Sequence, residues 1–367
     1  MPINTSNRLL ISPLDWGLGH TSRCIPIIYY LLQLGREITF AGNEWQRDFI
    51  TRTFPGLDTV HLDGYNVKYN MQGSGLAFSV LAQAPSILNS IKKEHEWLKK
   101  LQRERHFDAI ISDNRYGLYH PEIPSVILTH QLEIQTGFGN SINKLLRKLH
   151  YKLLNRFSEC WVPDALGSAN LSGNLGHPAI LPDNTKYIGC LSQFQKSCSG
   201  SPEAKSILVL LSGLEPQRST LSAILWEQLK QFGGKVTFVE GTNGAKSPES
   251  IPPHISYHKQ LTKDLLLPLL QQADIIIARS GYSSIMDLTA LGKKAILIPT
   301  PGQTEQEYLG TYLHQHGVFY CAPQKNFALR LALKEAETFP FSVPLPNDAF
   351  NLHQPIIDYW LSSSLSQ

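Results

Sequence analysis

The segment Asp15–Arg23, DWGLGHTSR, places two glycines just ahead of a histidine. Gly17 and Gly19 allow a tight turn and a close approach of backbone to a ligand, and with Thr21 they form a candidate loop for acceptor or phosphate. His20 would stand at or just before a helix N-terminus. A free imidazole titrates at about pH 6.5, so such a side chain can accept a hydroxyl proton at neutral pH. The same residues also read as a structural turn with a capping histidine, and the segment alone leaves both readings open. It is not Gly-x-Gly-x-x-Gly, because Ser22 takes the place of the third glycine, which weakens a nicotinamide-cofactor reading. Asp113 ends the apolar run before Asn114 and could orient His20 by accepting its other ring N–H, although an Asp after a strand is also a common cap. His130 and Gln131, after Val126–Thr129, are similar post-strand candidates for contact with an acceptor.

A longer constellation runs from Asp274 to Tyr308. A buried strand is expected to end at Arg279, with a turn at Ser280 and Gly281 and a helix opened by Ser283 and Ser284. Backbone N–H groups and hydroxyls at such a helix start can hold a diphosphate without a metal. Asp287 lies one turn further in, where a carboxylate can accept hydrogen bonds from ribose hydroxyls. After the next strand, Pro299-Thr-Pro-Gly makes a rigid turn, and Gln303, Glu305, Gln306 and Glu307 could read sugar hydroxyls. Taken singly, these are ordinary capping serines and solvated carboxylates; the string as a whole argues for a site. Leu210–Thr220, LLSGLEPQRST, sits where Ser212 and Gly213 could offer hydroxyl and N–H to phosphates and Arg218 a cation. Gly241–Gly244 is a candidate to face a nucleotide base.

The elements that must carry these residues alternate. Arg8–Ser12 reads as a buried strand, Cys24–Leu34 as a helix stopped by Gly35, and Glu37–Ala41 as the next strand. Strands at Thr59–Leu62, Ala109–Ser112 and Ser125–Leu128, with a helix over Ile87–Gln102, continue the series. The pattern restarts at Ser206–Ser212, with helices at Thr220–Gln231, Thr262–Gln272 and Ser283–Leu291 and strands at Lys235–Val239, Asp274–Ala278 and Ala295–Pro299. Such alternation implies parallel sheets covered on both faces, with ligands beyond the carboxyl ends of the strands. Gln193–Lys205 is a credible linker, so the reading is an α/β chain of two Rossmann-like domains. They span 1–195 for acceptor binding and 205–345 for donor nucleotide, with 346–367 a C-terminal helix returning to the first.

Composition narrows the function. A formal charge of +3 over 367 residues argues against a dedicated nucleic-acid binder. The five cysteines are scattered without Cys-x-x-Cys spacing, so neither a disulfide framework nor a zinc site is expected, and reduced cytosolic thiols are the default. No Asp-x-Asp occurs, so the usual metal-bridging diphosphate motif is missing. Apolar runs are strand-sized, far short of a membrane span. Residues 143–157, NKLLRKLHYKLLNRF, form a basic amphipathic helix that could lie on an anionic membrane, although a surface helix with its leucines in the core is the stronger reading of the pattern.

The second constellation resembles the donor-binding region of glycosyltransferase family 28. That family shows Arg-x-Gly, a Ser or Thr opening a helix, and an acidic ribose ligand eight residues after the Arg; the matching positions are Arg279, Gly281, Ser284 and Asp287. A Pro-containing strand end and a paired-Gln sugar contact follow, met here by Gln306 and Glu307. The Gly-x-Gly-His loop is similar to the family's glycine-rich loop and its histidine. The resemblance implies a GT-B fold, with the two domains facing across a cleft. It also implies an inverting, metal-independent transfer of a sugar, such as an N-acetylhexosamine, from a nucleotide-sugar, UDP-linked, to a hydroxyl acceptor that can be lipid-linked. No cofactor is expected. The setting would be cytoplasmic, at the inner face of the membrane. Asp287 is one methylene shorter than the family's Glu, and Glu307 replaces the second Gln, which leaves the transferred sugar open. A sugar-nucleotide 2-epimerase of the same fold and a non-catalytic sugar-nucleotide sensor are the alternatives.

Overall fold

The computed structural model describes residues 7–65, 84–133, 140–194, 202–213, 215–242, 244, 247–342, 345–346 and 348–365. The middle of the expected linker (195–201) and Asn243 of the 241–244 turn lie outside them. The chain divides into two compact units, one formed by Met1–Gln193 with Leu345–Gln367 and the other by Phe194–Pro344.

Unit 1 begins β1 (Arg8–Pro13), α1 (Leu18–Gln33), β2 (Glu37–Gly42), α2 (Glu44–Thr53) and β3 (Asp58–His61). It continues with α3 (Ala84–Arg105), β4 (Ala109–Asp113), β5 (Ser125–Leu128), α4 (Asn140–Leu154), β6 (Glu159–Val162) and β7 (Thr185–Tyr187). Its seven strands run in the order β3-β2-β1-β4-β5-β6-β7, every neighbouring pair parallel. Unit 2 holds β8 (Glu203–Leu210), α5 (Gln217–Leu229), β9 (Lys235–Val239), β10 (Ile255–His258), α6 (Lys263–Gln272) and β11 (Ala273–Ala278). After them come α7 (Tyr282–Ala290), β12 (Ala295–Leu297), α8 (Thr304–Gln315), β13 (Tyr320–Cys321) and α9 (Leu329–Glu337). The order β10-β9-β8-β11-β12-β13 repeats that of β3-β2-β1-β4-β5-β6 in the first sheet, again all parallel, with no counterpart of β7 among the described residues. The last helix, α10 (His353–Leu365), belongs to unit 1.

Central strands such as Leu9–Ile11, Ile110–Ile111 and Ile276–Ala278 are buried throughout, because helices cover both faces of a parallel sheet. Each fully buried Leu or Ile contributes about 1.5–3 kcal/mol of transfer free energy to holding those layers. In both units the strand order reverses between two neighbours, β1/β4 and β8/β11. The loops leaving such a pair diverge and open a crevice at the carboxyl end. Both candidate sites therefore start from loops at a switch point.

The fold class is as expected; several boundaries are not. Helix α1 starts at Leu18, well before Cys24. Gly17, at φ +92°, makes the turn that a residue with a Cβ would resist, and the polar residues Thr21, Ser22 and Arg23 are buried in the helix because they have partners there. Helix α2 is polar enough to read as loop, yet Asn43 and Gln46 close a reciprocal capping box at its start. Strands β6, β7 and β13 are short runs whose pairing comes from the sheet rather than from a pattern of their own.

Candidate active site

At the switch point of unit 1, Pro13 of β1 pairs with Asp113 of β4, so the loops after both strands begin side by side. His20 is in the first turn of α1 and Arg23 one turn later on the same helix face. His20 Nδ1 lies 3.0 Å from Asp113 Oδ1, the contact expected of a base and its orienting carboxylate. Arg23 completes the group. Its Nε donates to Asp113 Oδ2 at 2.5 Å, its Nη2 donates to Asp113 Oδ1, and its Nη1 lies 3.2 Å from His130 Nδ1. Asp113, Arg23 and His130 are buried, whereas the His20 side chain keeps 17% of its surface exposed.

Burial pushes His20 below its ordinary titration range, and Arg23 and His130 add to this against the pull of Asp113. The first turn of a helix, at the positive end of its dipole, also disfavours an imidazolium. Burial would lift Asp113, but Arg23 and His20 outweigh it, so the carboxyl stays ionised below its usual range. A neutral imidazole against a fixed carboxylate can take a proton from a hydroxyl.

The structure corrects two expectations for this loop. Thr21 is fully buried and its hydroxyl accepts from Gln46 Nε2 at 3.1 Å, tying α1 to α2 rather than facing an acceptor. His130 is held against Arg23 and not presented as a contact surface. Gln131 is half-buried on the loop after β5, its N–H bonded to Thr129 Oγ1 at 3.2 Å. Gly17 and Gly19 are half-buried at the mouth of the loop.

In unit 2 the pair β8/β11 brings together the turns at Ser212–Gly213 and Arg279–Gly281. Gly281 caps α7 in an extended conformation, and a Cβ there would meet only open space. Glycine is a favoured N-cap residue, and the open space before this one leaves the helix start accessible. Ser283, Ser284 and Asp287 are half-buried on α7. Gly213, at φ +103°, is exposed with open space before it.

The cations are another matter. Arg279 is 1% exposed, and its Nη1 donates to the carbonyls of Ile298 (3.2 Å) and Pro299 (3.1 Å) while Nη2 donates to that of Gln217 (2.6 Å). Burial pulls its pKa down to about 10, still fully charged at neutral pH. Arg279 is thus a brace that joins the ends of β11, β12 and α5, and it is not an open phosphate ligand as expected. Arg218 is also buried, ion-paired with Glu215 and with Glu240 Oε1 at 2.6 Å. Ser280 is buried with its hydroxyl on the carbonyl of Gln306 at 2.8 Å. The Gln306 side chain accepts from Thr300 N–H (2.9 Å) and donates to Gln303 Oε1 (2.6 Å), and Glu307 Oε1 accepts from Gly302 N–H (2.9 Å). Gln303, Gln306 and Glu307 therefore shape the turn before α8, while Glu305 lies half-buried in the helix's first turn.

Residues 228–339, most of unit 2, match the glycosyltransferase family 28 C-terminal domain. The chain is a family 28-like glycosyltransferase of the GT-B type. An uncharacterized glycosyltransferase of Methanosarcina acetivorans is 23% identical over 318 residues, covering 82% of each chain. The UDP-N-acetylglucosamine–N-acetylmuramyl-(pentapeptide) pyrophosphoryl-undecaprenol N-acetylglucosamine transferase of Histophilus somni is 24% identical, covering 83% of this chain and 82% of its own. Among solved structures, the glycotransferase of kitacinnamycin superposes with a TM-score of 0.69 at 16% identity over 98% of this glycosyltransferase and all of its own chain.

Sequence reasoning missed Arg23 and Glu240. Arg23 stands three residues after His20, and helical spacing alone puts the two on one face. Glu240 directly follows β9, a post-strand position, and is held by Arg218 and by Ser222 Oγ at 2.9 Å. Burial raises its pKa against both of those partners.

Proposed function

We propose that this glycosyltransferase moves a sugar from a nucleotide-sugar, UDP-linked, to a hydroxyl of a lipid-linked acceptor by one inverting displacement. The observation that carries the reading is the His20–Asp113 pair at the unit 1 switch point. Neutral His20 takes the proton of the acceptor hydroxyl through Nε2. The hydroxyl oxygen forms its bond to the anomeric carbon as the bond to the diphosphate breaks, so the configuration inverts. Asp113 stabilises the imidazolium that forms.

The departing diphosphate is met by the α7 N-terminus at Gly281, Ser283 and Ser284 and by the Ser212–Gly213 turn. Arg279 acts behind them, its charge fixed beneath the corner. Asp287 receives the ribose hydroxyls. Dipoles and a buried guanidinium supply the stabilisation that a metal would, which accords with a sequence without Asp-x-Asp. In this reading the acidic Glu305, half-buried in the first turn of α8, accepts hydrogen bonds from the sugar.

A lipid-linked acceptor is supported by α4, where Leu145 and Leu149 are 59% and 51% exposed beside exposed Lys144, Lys148 and Lys152. Only Leu154 of its leucines is fully buried, so the helix shows the outside more apolar surface than the core reading allowed. No helix among the described residues is long and apolar enough to cross a membrane. The enzyme would work from the cytoplasm on the inner membrane face.

Incubation with a panel of UDP-, GDP- and dTDP-sugars tests the reading. Acceptor-dependent release of nucleoside diphosphate is expected. Acceptor-independent change at C2 would make it an epimerase, and tight binding without turnover a sensor.

A further inference from the structure

We propose that Arg23 is a positioning residue that governs which ring nitrogen of His20 carries the proton. The inference rests on the reading of His20 as the base. Four groups face one another here: His20 and Arg23 from α1, Asp113 from the end of β4, and His130 from the loop after β5. The Cys24 thiol completes the surroundings at 3.9 Å from Asp113 Oδ2, kept protonated by burial and by that carboxylate.

The guanidinium grips both oxygens of Asp113, Nε on Oδ2 and Nη2 on Oδ1. Such a two-pronged grip fixes the plane of the carboxylate, which a single hydrogen bond would leave free to turn. The fixed plane directs Oδ1 at His20 Nδ1, so the proton sits on Nδ1 and the lone pair on Nε2. Arg23 Nη2 is also 2.9 Å from Nδ1. A cation at that distance opposes a second positive charge on the ring. Without Arg23, a buried carboxylate facing imidazole would draw a proton from solvent and hold His20 as imidazolium, which cannot act as a base. With Arg23 present, the ring is oriented by Asp113 yet stays neutral, consistent with its lowered titration.

The test is a 15N NMR titration of His20 in the full chain without substrates, assigned by comparison with His20→Ala. The expected wild-type spectrum has Nδ1 protonated and Nε2 bare at neutral pH; the reverse pattern would mean that Arg23 masks the base, and overturns the proposal. In Arg23→Met the His20 midpoint should rise, and activity at pH 6 should fall relative to activity at pH 8. An unchanged or lower midpoint overturns the proposal, whatever happens to stability. Should the stranded Asp113 prevent that variant from folding, Asp113→Asn and the Arg23→Met/Asp113→Asn double variant make the same comparison without a buried lone carboxylate, and the double must titrate higher. Full transfer by His20→Ala would instead remove the base reading, a result distinct from any of these titrations.

Discussion

His20 can serve as a base only while it is neutral, and its surroundings keep it so. Burial lowers its pKa below 6.5, so the neutral form persists as the solution is acidified. The acid limb of kcat/KM should therefore lie below the pH of a free imidazole, activity falling only as pH drops through the folded midpoint; a limb well above pH 7 would exclude His20 as its origin. His20→Ala should lower kcat by about 10²–10⁴ with donor affinity nearly intact, read by steady-state kinetics and calorimetry. Asp287→Ala should weaken donor binding by about 1–3 kcal/mol, and unchanged affinity would refute its contact with ribose. The contact between His20 and Asp113 was legible because a parallel sheet brings the residues after adjacent strands together. The arginines were not. Arg279 beside Ser-Gly looks like a phosphate ligand, but its partners are the carbonyls of Ile298, Pro299 and Gln217, which sequence distance conceals. Arg23 was visible as a residue and unreadable as a role, because a helical Arg is ordinarily solvated and only the fold shows this one buried against Asp113.

Elements, not single contacts, hold the corner proposed to take the donor. The turn after β8 carries Ser212 and Gly213, and it is backed by Gly241, the residue that follows Glu240 at the end of β9. Gly241 has φ +80°, and a Cβ on it would stand 2.1 Å from the carbonyl oxygen of Leu211. That atom is backbone and cannot swing away. Gly241→Ala should thus combine left-handed strain with displacement of the turn, costing about 1–3 kcal/mol for the backbone conformation and a similar amount for the overlap. Thermal unfolding should show the loss, and donor affinity should fall with it. An alanine variant with wild-type melting and binding would mean that the turn is not held from behind. The periodic strands and helices of both sheets could be read from apolar spacing. The start of α1 and the whole of α2 could not, because Thr21, Ser22 and Arg23 are polar residues buried through specific partners and α2 buries only Gln46 and Ile50.

At the scale of the whole chain, Leu345–Gln367 closes unit 1, and α4 of that unit shows leucines among lysines on its exposed face. Cys190 N–H donates to the carbonyl of Ala349 at 2.7 Å, and Trp360 of α10 lies fully buried, edge-on to Trp161 with ring centroids 5.3 Å apart. Trp360→Ala should cost about 3–5 kcal/mol in unfolding free energy. Trp360→Phe should cost less, since the indole N–H has no partner among the described residues to lose. The exposed face of α4 makes the opposite prediction, a change in binding without a change in stability. Leu145→Ser with Leu149→Ser alters side chains already more than half in water, so unfolding free energy should move by no more than about 0.5 kcal/mol. Inserted in a bilayer interface, each leucine would gain about 1.5–3 kcal/mol, so the double variant should lose more than tenfold in partition to anionic vesicles. Lys144, Lys148 and Lys152 would add about 1 kcal/mol each near a negative surface, and raised salt should weaken that part alone. Sedimentation with vesicles containing anionic lipid measures both terms. If the double variant binds them as the wild type does, α4 is a solvated surface and the acceptor need not be presented on a membrane.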